Sequence, residues 1–310
     1  MKNLEGSNIK KNTAVVGAGW FGSAHCRVFD SLSNLVAVCD TDINKAKSIA
    51  EKYGINYYKD HRKMIKNEKI DSVSIVIPPR FMPSIATDFI EADIDILLEK
   101  PMGTNLQEVE KLLPYEDNVR IMCGFIELFN PVIERLKNNL KKIGNPIMVS
   151  SRRIGRHPHR KWELGVLLDL GIHSIYVQSH LFGDPIKTKS MLSFSSNDKY
   201  EDAAFILLRY KNGVNGLIET NWLTPAKYRK LIIYGEEGSM EIDYITQEIS
   251  FIKGEKLEED TKVVEIRQPY TFSEPLMREI NAFLYAKKNP MPLSEGLKSL
   301  KIALDAHKNS

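Results

Sequence analysis

The stretch Thr13-Ala14-Val15-Val16-Gly17-Ala18-Gly19-Trp20-Phe21-Gly22 decides the fold. A β-prone run ends in glycines at the G-x-G-x-x-G spacing, and each glycine has its own task. Gly17 permits a tight turn out of the strand. Gly19 has no Cβ, so a pyrophosphate can approach the backbone. Gly22 lets the next helix pack closely on the strand. The first turn of that helix, through Trp20 and Phe21, offers N–H groups and the positive end of a dipole to phosphates. An amphipathic stretch follows (Ala24, Val28, Phe29, Leu32), then an apolar run over 35–39 that ends in Asp40. Asp40 stands where an acid meets the adenosine ribose 2′-OH. Three glycines alone also suit an ordinary loop. Strand, glycines, helix, strand and acid in this order predict dinucleotide binding by Gly17, Ala18, Gly19, Trp20, Phe21, Gly22 and Asp40. A carboxylate at position 40 repels a 2′-phosphate, which favours NAD over NADP, although Lys45 and Lys47 lie close enough in sequence to reach the same region.

Strand and helix signals continue to alternate. Residues 42–53 have helical spacing closed by Gly54, and 55–58 read as a short strand. A short helix over 61–69 precedes the continuous β-branched run over 72–77, typical of a strand buried on both faces. Pro78-Pro79 stops that run. A helix over 81–92, a strand over 95–99, a helix over 104–113 with Thr104 as N-cap, and a strand over 120–124 complete the series. Such alternation predicts a doubly wound, mostly parallel α/β sheet over residues 1–124. Ligands on these sheets bind beyond the carboxyl ends of the strands, which adds Pro78, Pro79, Glu99, Lys100 and Pro101 to the candidate cofactor contacts. A lysine at such a strand end can lose solvent and have its pKa lowered toward a useful value. On spacing alone, a surface loop lysine explains it equally well.

Composition excludes other classes. The 310 residues suffice for two domains, with 43% hydrophobic and 27% charged residues and a net charge of +3, too small to indicate nucleic acid. Cys26, Cys39 and Cys123 form no C-x-x-C pair and read as reduced thiols, as in a cytoplasmic protein. The polar start MKNLEGSNIKKN has no signal-peptide core, and no apolar run is long enough to span a membrane. No His/Cys cluster suggests a metal.

Residues 125–310 read as a second, α+β domain: a helix over 125–142, a strand over 146–154, a basic loop over 152–161, a helix over 162–181, a run of strands, and closing helices over 273–288 and 294–308. Asn212-Gly213 signals a type I′ hairpin, and the meander order predicts a large, mostly antiparallel, open-faced sheet with flanking helices. The basic loop, with Arg156 and Arg160, reads either as an anion-facing substrate segment or as a solvated loop. Asp169 and His173, at i and i+4, share a helix face. A carboxylate one turn before an imidazole suits a general base, but a structural surface pair has the same spacing.

The pieces AVVGAGWFG, VAVCD, SVSIVIPP and LLEKPM resemble the glucose–fructose oxidoreductase/inositol dehydrogenase (Gfo/Idh/MocA) family. The resemblance implies that Lys100 is a catalytic-site residue, that the peptide before Pro101 is cis, and that the D-x-x-x-H pair in GVLLDLGIH supplies His173 as acid/base and Asp169 as a substrate contact. It further implies a homo-oligomer, dimer or tetramer, paired through the second domain's sheet. Met82 stands where the family often has a histidine. GFIELFNP, SRRIGR and GVLLDLGIHSI resemble a nucleotide-sugar subgroup that includes UDP-N-acetylglucosamine 3-dehydrogenases, with Phe125, Leu128, Ser174 and Tyr176 in place of His, Arg, Asp and Asp. The expected activity is hydride transfer between a secondary alcohol of a sugar, cyclitol or nucleotide sugar and nicotinamide, with Lys100, Arg156, Arg160, Asp169 and His173 at the substrate. The alternatives are a non-catalytic sugar or nucleotide sensor, or a reductase of an imine or bile pigment.

Overall fold

The glycine-terminated run forms β1 (Asn12–Val16) in a computed structural model that describes residues 10–158, 163–195, 199–256, 261–268 and 272–308. There follow α1 (Trp20–Leu32), β2 (Asn34–Cys39), α2 (Ile43–Tyr53), β3 (Asn56–Tyr58), α3 (His61–Asn67), β4 (Ser72–Ile75), α4 (Met82–Ile90), β5 (Asp95–Glu99), α5 (Leu106–Glu110) and β6 (Ile121–Gly124). The strands form one parallel sheet in the order β3-β2-β1-β4-β5-β6. The order reverses between β1 and β4, the switch point of a Rossmann sheet. Helices must cover both faces, so the central strands carry apolar residues on both: Val73, Ile75, Ile96, Leu97, Leu98 and Ile121 are fully buried, each contributing about 1.5–3 kcal/mol. Asp42 caps α2 by accepting the Asn44 N–H at 3.2 Å, and Gly54 ends it at φ 66°. The expected cap Thr104 is displaced by its neighbour: Asn105 accepts the Gln107 N–H at 2.9 Å and starts α5.

The remainder contains α6 (Pro131–Asn139), β7 (Pro146–Arg156), a π-helical turn (Leu167–Gly171), α7 (Ile172–Phe182), β8 (Pro185–Ser193), β9 (Ala203–Tyr210), β10 (Asn215–Asn221), β11 (Leu223–Gly235), β12 (Gly238–Asp243), β13 (Glu248–Lys256), β14 (Thr261–Gln268), α8 (Pro275–Tyr285) and α9 (Leu293–Lys308). Eight strands pair in the order β14-β13-β12-β11-β7-β10-β9-β8. All pairings are antiparallel except β7 with β10. The simple meander is therefore interrupted, because β7 inserts between β10 and β11. One face receives α7: Gln178 Nε2 donates to Ser151 Oγ at 2.8 Å and to the Leu217 carbonyl at 3.2 Å. The opposite face carries exposed apolar side chains, among them Met191, Phe205 and Leu207.

Two further expectations are corrected. Only Gly213 of the Asn212-Gly213 pair has positive φ, at 90°. A type I′ turn requires it at both central residues, so this turn is of another type, closed by Gly213 N–H to the Tyr210 carbonyl. The boundary at 124/125 also puts α8 in the wrong unit. The chain divides into Met1–Gly124 with Leu276–Ser294, and Phe125–Pro275 with Glu295–Ser310. Arg120 explains the assignment of α8: its guanidinium donates to the carbonyls of Phe283 at 2.8 Å and Ala286 at 2.7 Å, a cation on a helix C-terminus. Phe283 packs against Phe29 of α1. Among the described residues no helix is long and apolar enough to cross a membrane.

Candidate active site

In the first unit, Gly17 turns the chain out of β1 at φ 106°, where a Cβ would sit 2.1 Å from the Val76 carbonyl oxygen. A Cβ on Gly22 would sit 1.8 Å from the Gly17 oxygen, whereas one on Gly19 would meet nothing within 4 Å. The two outer glycines thus build the turn, and Gly19 leaves a gap above it. Gly19 is also the N-cap of α1 and supplies no side-chain cap, and no acid occupies the first turn. An uncapped helix start beneath a cradle without Cβ fits a dinucleotide pyrophosphate. A groove of about 650 Å³ runs from Ala18, Gly19 and Trp20 between α1 and α2, past Arg27 and Lys45.

Asp40 closes the cradle from β2. Its Oδ2 accepts the Ala18 N–H at 2.7 Å and its Oδ1 the Asp42 N–H at 2.8 Å. The carboxylate is thereby fixed beside the glycine turn. Lys45 and Lys47 each have a carboxylate at hand: Lys45 lies 3.5 Å from Asp42, and Lys47 lies 3.7 Å from Glu51. Beyond β4, Pro78 is exposed and Pro79 buried. Met82 is buried in α4, so the side chain at the family's histidine position faces the core.

At the end of β5, Glu99 and Pro101 are buried and Lys100 is half-buried; the Lys100–Pro101 peptide is cis. Glu99 Oε2 accepts the Lys100 N–H at 3.1 Å. Its Oε1 lies 3.4 Å from His25 Nε2, and His25 Nδ1 lies 2.8 Å from Ser74 Oγ. A Cβ on Gly124 would sit 2.6 Å from Glu99 Oε1, so the glycine ending β6 makes room for the acid. His25 and Ser74 were not among the expected site residues. The available signal was helical: His25 follows Gly22 by three residues and shares its strand-facing side.

In the second unit, Asp169 lies in the π-helical turn and His173 in the first turn of α7. A continuous α-helix was expected here. The wider turn is anchored by Glu201, which accepts the Leu167 N–H at 2.9 Å. A Cβ on Gly165 would lie within 2.0 Å of the Glu201 carboxylate, so the glycine admits this acid at the positive end of the helix. π-turns often mark functional positions.

His173 is buried, and its Nδ1 lies 2.7 Å from Tyr176 Oη. That hydroxyl oxygen also accepts the Glu127 N–H at 3.0 Å, and the Tyr176 ring stacks on Phe125 at 4.1 Å and 10°. Beneath Tyr176, the buried Glu127 carboxylate is engaged by Arg153, with Arg229 at 3.8 Å from the same oxygen. Burial alone would raise the Glu127 pKa, but Arg153 beside it holds the carboxyl below the usual range. Asn130 links this cluster to the chain: it donates to the Tyr244 carbonyl at 3.0 Å and accepts the Val132 N–H at 3.2 Å, capping α6.

The expected basic substrate segment divides. Arg153 lies on the face of β7 that α7 covers. Arg156 is exposed and shares the alternation of Arg152, which lies on the open face with Glu219 at 3.0 Å. Arg160 lies outside the described residues. Nothing in the local sequence distinguishes Arg153 from Arg152; only the period of the strand does. The other participants missed, Glu127 and Arg229, are brought to Arg153 by tertiary pairing.

Residues 11–124 match the NAD-binding Rossmann fold of an oxidoreductase family, and 136–303 match its C-terminal α/β domain. The chain is 22% identical over 240 residues to UDP-N-acetylglucosamine 3-dehydrogenase of Acidithiobacillus ferrooxidans, covering 76% of this chain and 75% of that one. It is 23% identical over 251 residues to myo-inositol 2-dehydrogenase of Thermotoga maritima, with 75% of each covered. The solved structure of the Acidithiobacillus enzyme superposes with a TM-score of 0.88 at 20% identity, covering 96% of this chain and 97% of that one.

Proposed function

Because this chain belongs to the Gfo/Idh/MocA oxidoreductase family, we propose that it is an NAD-dependent dehydrogenase of a secondary alcohol on a sugar, cyclitol or nucleotide sugar. The observation that carries the reading is His173, buried and held at Nδ1 one turn after a carboxylate, in a chain whose other unit is a dinucleotide-binding fold. The names of the relatives, a nucleotide-sugar and an inositol dehydrogenase, support the substrate class.

A dinucleotide held at the glycine cradle would supply, in its nicotinamide, the acceptor for the substrate's hydride. Gly19 and the first turn of α1 hold the pyrophosphate, and Asp40 meets the ribose, which favours NAD over NADP. His173 takes the hydroxyl proton on Nε2. For that, Nδ1 must carry its own hydrogen, so Tyr176 Oη accepts both the imidazole N–H and the Glu127 N–H. Lys100 hydrogen-bonds the alcohol oxygen and stabilises the charge that develops there. Asp169 accepts from a neighbouring substrate hydroxyl. Copies of the chain pair through the open sheet face, where Met191 is 75% and Leu207 58% exposed.

The test is NADH formation across UDP-sugars, inositols and free hexoses. The reading expects turnover of members of one class. Binding of a sugar without NADH formation by any would favour a non-catalytic sensor.

A further inference from the structure

Arg153 and Arg229 are direct partners across the β7–β11 ladder, a position where like charges repel. Both reach for one Glu127 oxygen, Arg153 closely and Arg229 at 3.8 Å. One buried carboxylate thus faces two guanidinium groups. Arg153 is buried, and among the described residues its Nε has no hydrogen-bond partner. The Tyr244 ring lies 5.6 Å from the Arg153 guanidinium, and burial pushes that phenol's pKa far up, so it adds no negative charge. Asp169 is the second carboxylate within electrostatic reach of Arg229.

Arg229 is the outward member of this cluster, its side chain 34% exposed. Repulsion by Arg153, and then burial, lower its pKa, against the attraction of Glu127 and Asp169. A guanidinium under that repulsion gains from a further counter-ion, and its fork takes carboxylate or phosphate oxygens two at a time. We propose that Arg229, backed by Arg153, is the subsite for an anionic substituent, a carboxylate or a phosphate ester, on the substrate alcohol. The proposal rests on the dehydrogenase reading, in which Asp169 accepts from substrate hydroxyls. The two charged groups then sort the substrate: hydroxyls to Asp169, anion to Arg229. Anion recognition moves from the exposed Arg156 to a guanidinium pair on adjacent strands.

The test is calorimetric titration of the NAD-saturated full chain with UDP-N-acetylglucosamine, D-glucuronate and D-glucose. One of the two anions is expected to bind at least tenfold more tightly than glucose and to weaken as salt is raised. Arg229→Gln is expected to reduce that anion's affinity at least tenfold, with glucose binding and the circular dichroism spectrum preserved. A response confined to the UDP-sugar identifies a phosphate, and one confined to glucuronate a carboxylate. The proposal is overturned if neither anion binds more tightly than glucose, or if Arg229→Gln keeps full anion affinity or loses glucose binding equally. Should Arg229→Gln not fold, Arg229→Lys keeps the charge without the fork; a severalfold loss of anion affinity is expected, and none overturns the proposal. Anion binding through Arg229 in a chain that oxidises no alcohol would sink the dehydrogenase reading alone. Turnover of neutral alcohols, together with an anion affinity that Arg229→Gln leaves unchanged, would sink this subsite alone.

Discussion

Tyr176 Oη lies 2.7 Å from His173 Nδ1, so the candidate base is oriented by a phenol one turn later on its own helix. The same oxygen receives the Glu127 N–H. Tyr176→Phe keeps the stack on Phe125 and removes both contacts. We expect kcat to fall about 10–100-fold, as for loss of a partner that orients a catalytic group, with the KM for NAD unchanged and the ascending limb of the pH–rate profile displaced. The orphaned Glu127 amide costs about 1–3 kcal/mol of stability. Steady-state kinetics across pH, with a melting curve, measure all four. A melting change without a kinetic one would make Tyr176 purely structural.

The glycine cradle predicts a split between two similar substitutions. Gly22→Ala places a methyl against the Gly17 carbonyl and should destabilise the first unit. Gly19→Ala meets nothing within 4 Å and should fold normally, yet should weaken NAD binding at least tenfold, about 1.4 kcal/mol, because the methyl fills the space through which the pyrophosphate approaches. Melting curves with and without NAD distinguish the two: the Gly19 variant should retain its midpoint alone and lose the upward shift with cofactor.

Asp40 ties the Ala18 and Asp42 amides and is the proposed ribose contact. Asp40→Ser removes the repulsion of a 2′-phosphate along with those bonds. NAD affinity should fall at least tenfold and NADP affinity should fall less or rise, so the ratio of the two dissociation constants moves toward NADP. Fluorescence titration with both dinucleotides reads that ratio directly.

The Glu127–Arg153 pair makes the second unit sensitive to acid. The Glu127 carboxyl titrates below its ordinary value in the folded chain, whereas an unfolded glutamate titrates near 4.3. The stabilisation is therefore fully present above about pH 5 and is lost as pH falls through 4.3 toward the folded value. Glu127→Gln leaves Arg153 buried without its counter-charge and should cost about 3–5 kcal/mol at neutral pH. The gap between the two melting midpoints should narrow below about pH 4.

Local signals explain what was legible in the sequence. The strand, glycine turn, helix and acid from Thr13 to Asp40 each follow from residues within one turn or one strand, and the apolar runs that end in Ile75, Leu98 and Cys123 announce buried strands. The expectation weakened where distant residues decide. β8 escaped notice because, at the sheet edge, Lys187, Lys189 and Met191 give little alternation. The insertion of β7 beside β10 depends on a parallel pairing that no hairpin signal announces. α8 belongs with the first unit because Arg120 reaches its last carbonyls. In the candidate site, Asp169 and His173 were visible by spacing. Tyr176 stood out only as a departure from the pattern of the nucleotide-sugar subgroup that the chain resembles. Arg229 has no local signal at all, since its meaning comes from Arg153 on the neighbouring strand.

Lys100 and His173 are the residues proposed to do the chemistry, and the glycine cradle should hold NAD without them. Turnover and NAD binding should be measured together in Lys100→Ala and His173→Ala, on whichever alcohol supports NADH formation. We expect a loss of about 10²–10⁴-fold in kcat for each variant, with NAD affinity unchanged. Near-normal turnover in both variants would show that neither side chain carries the chemistry.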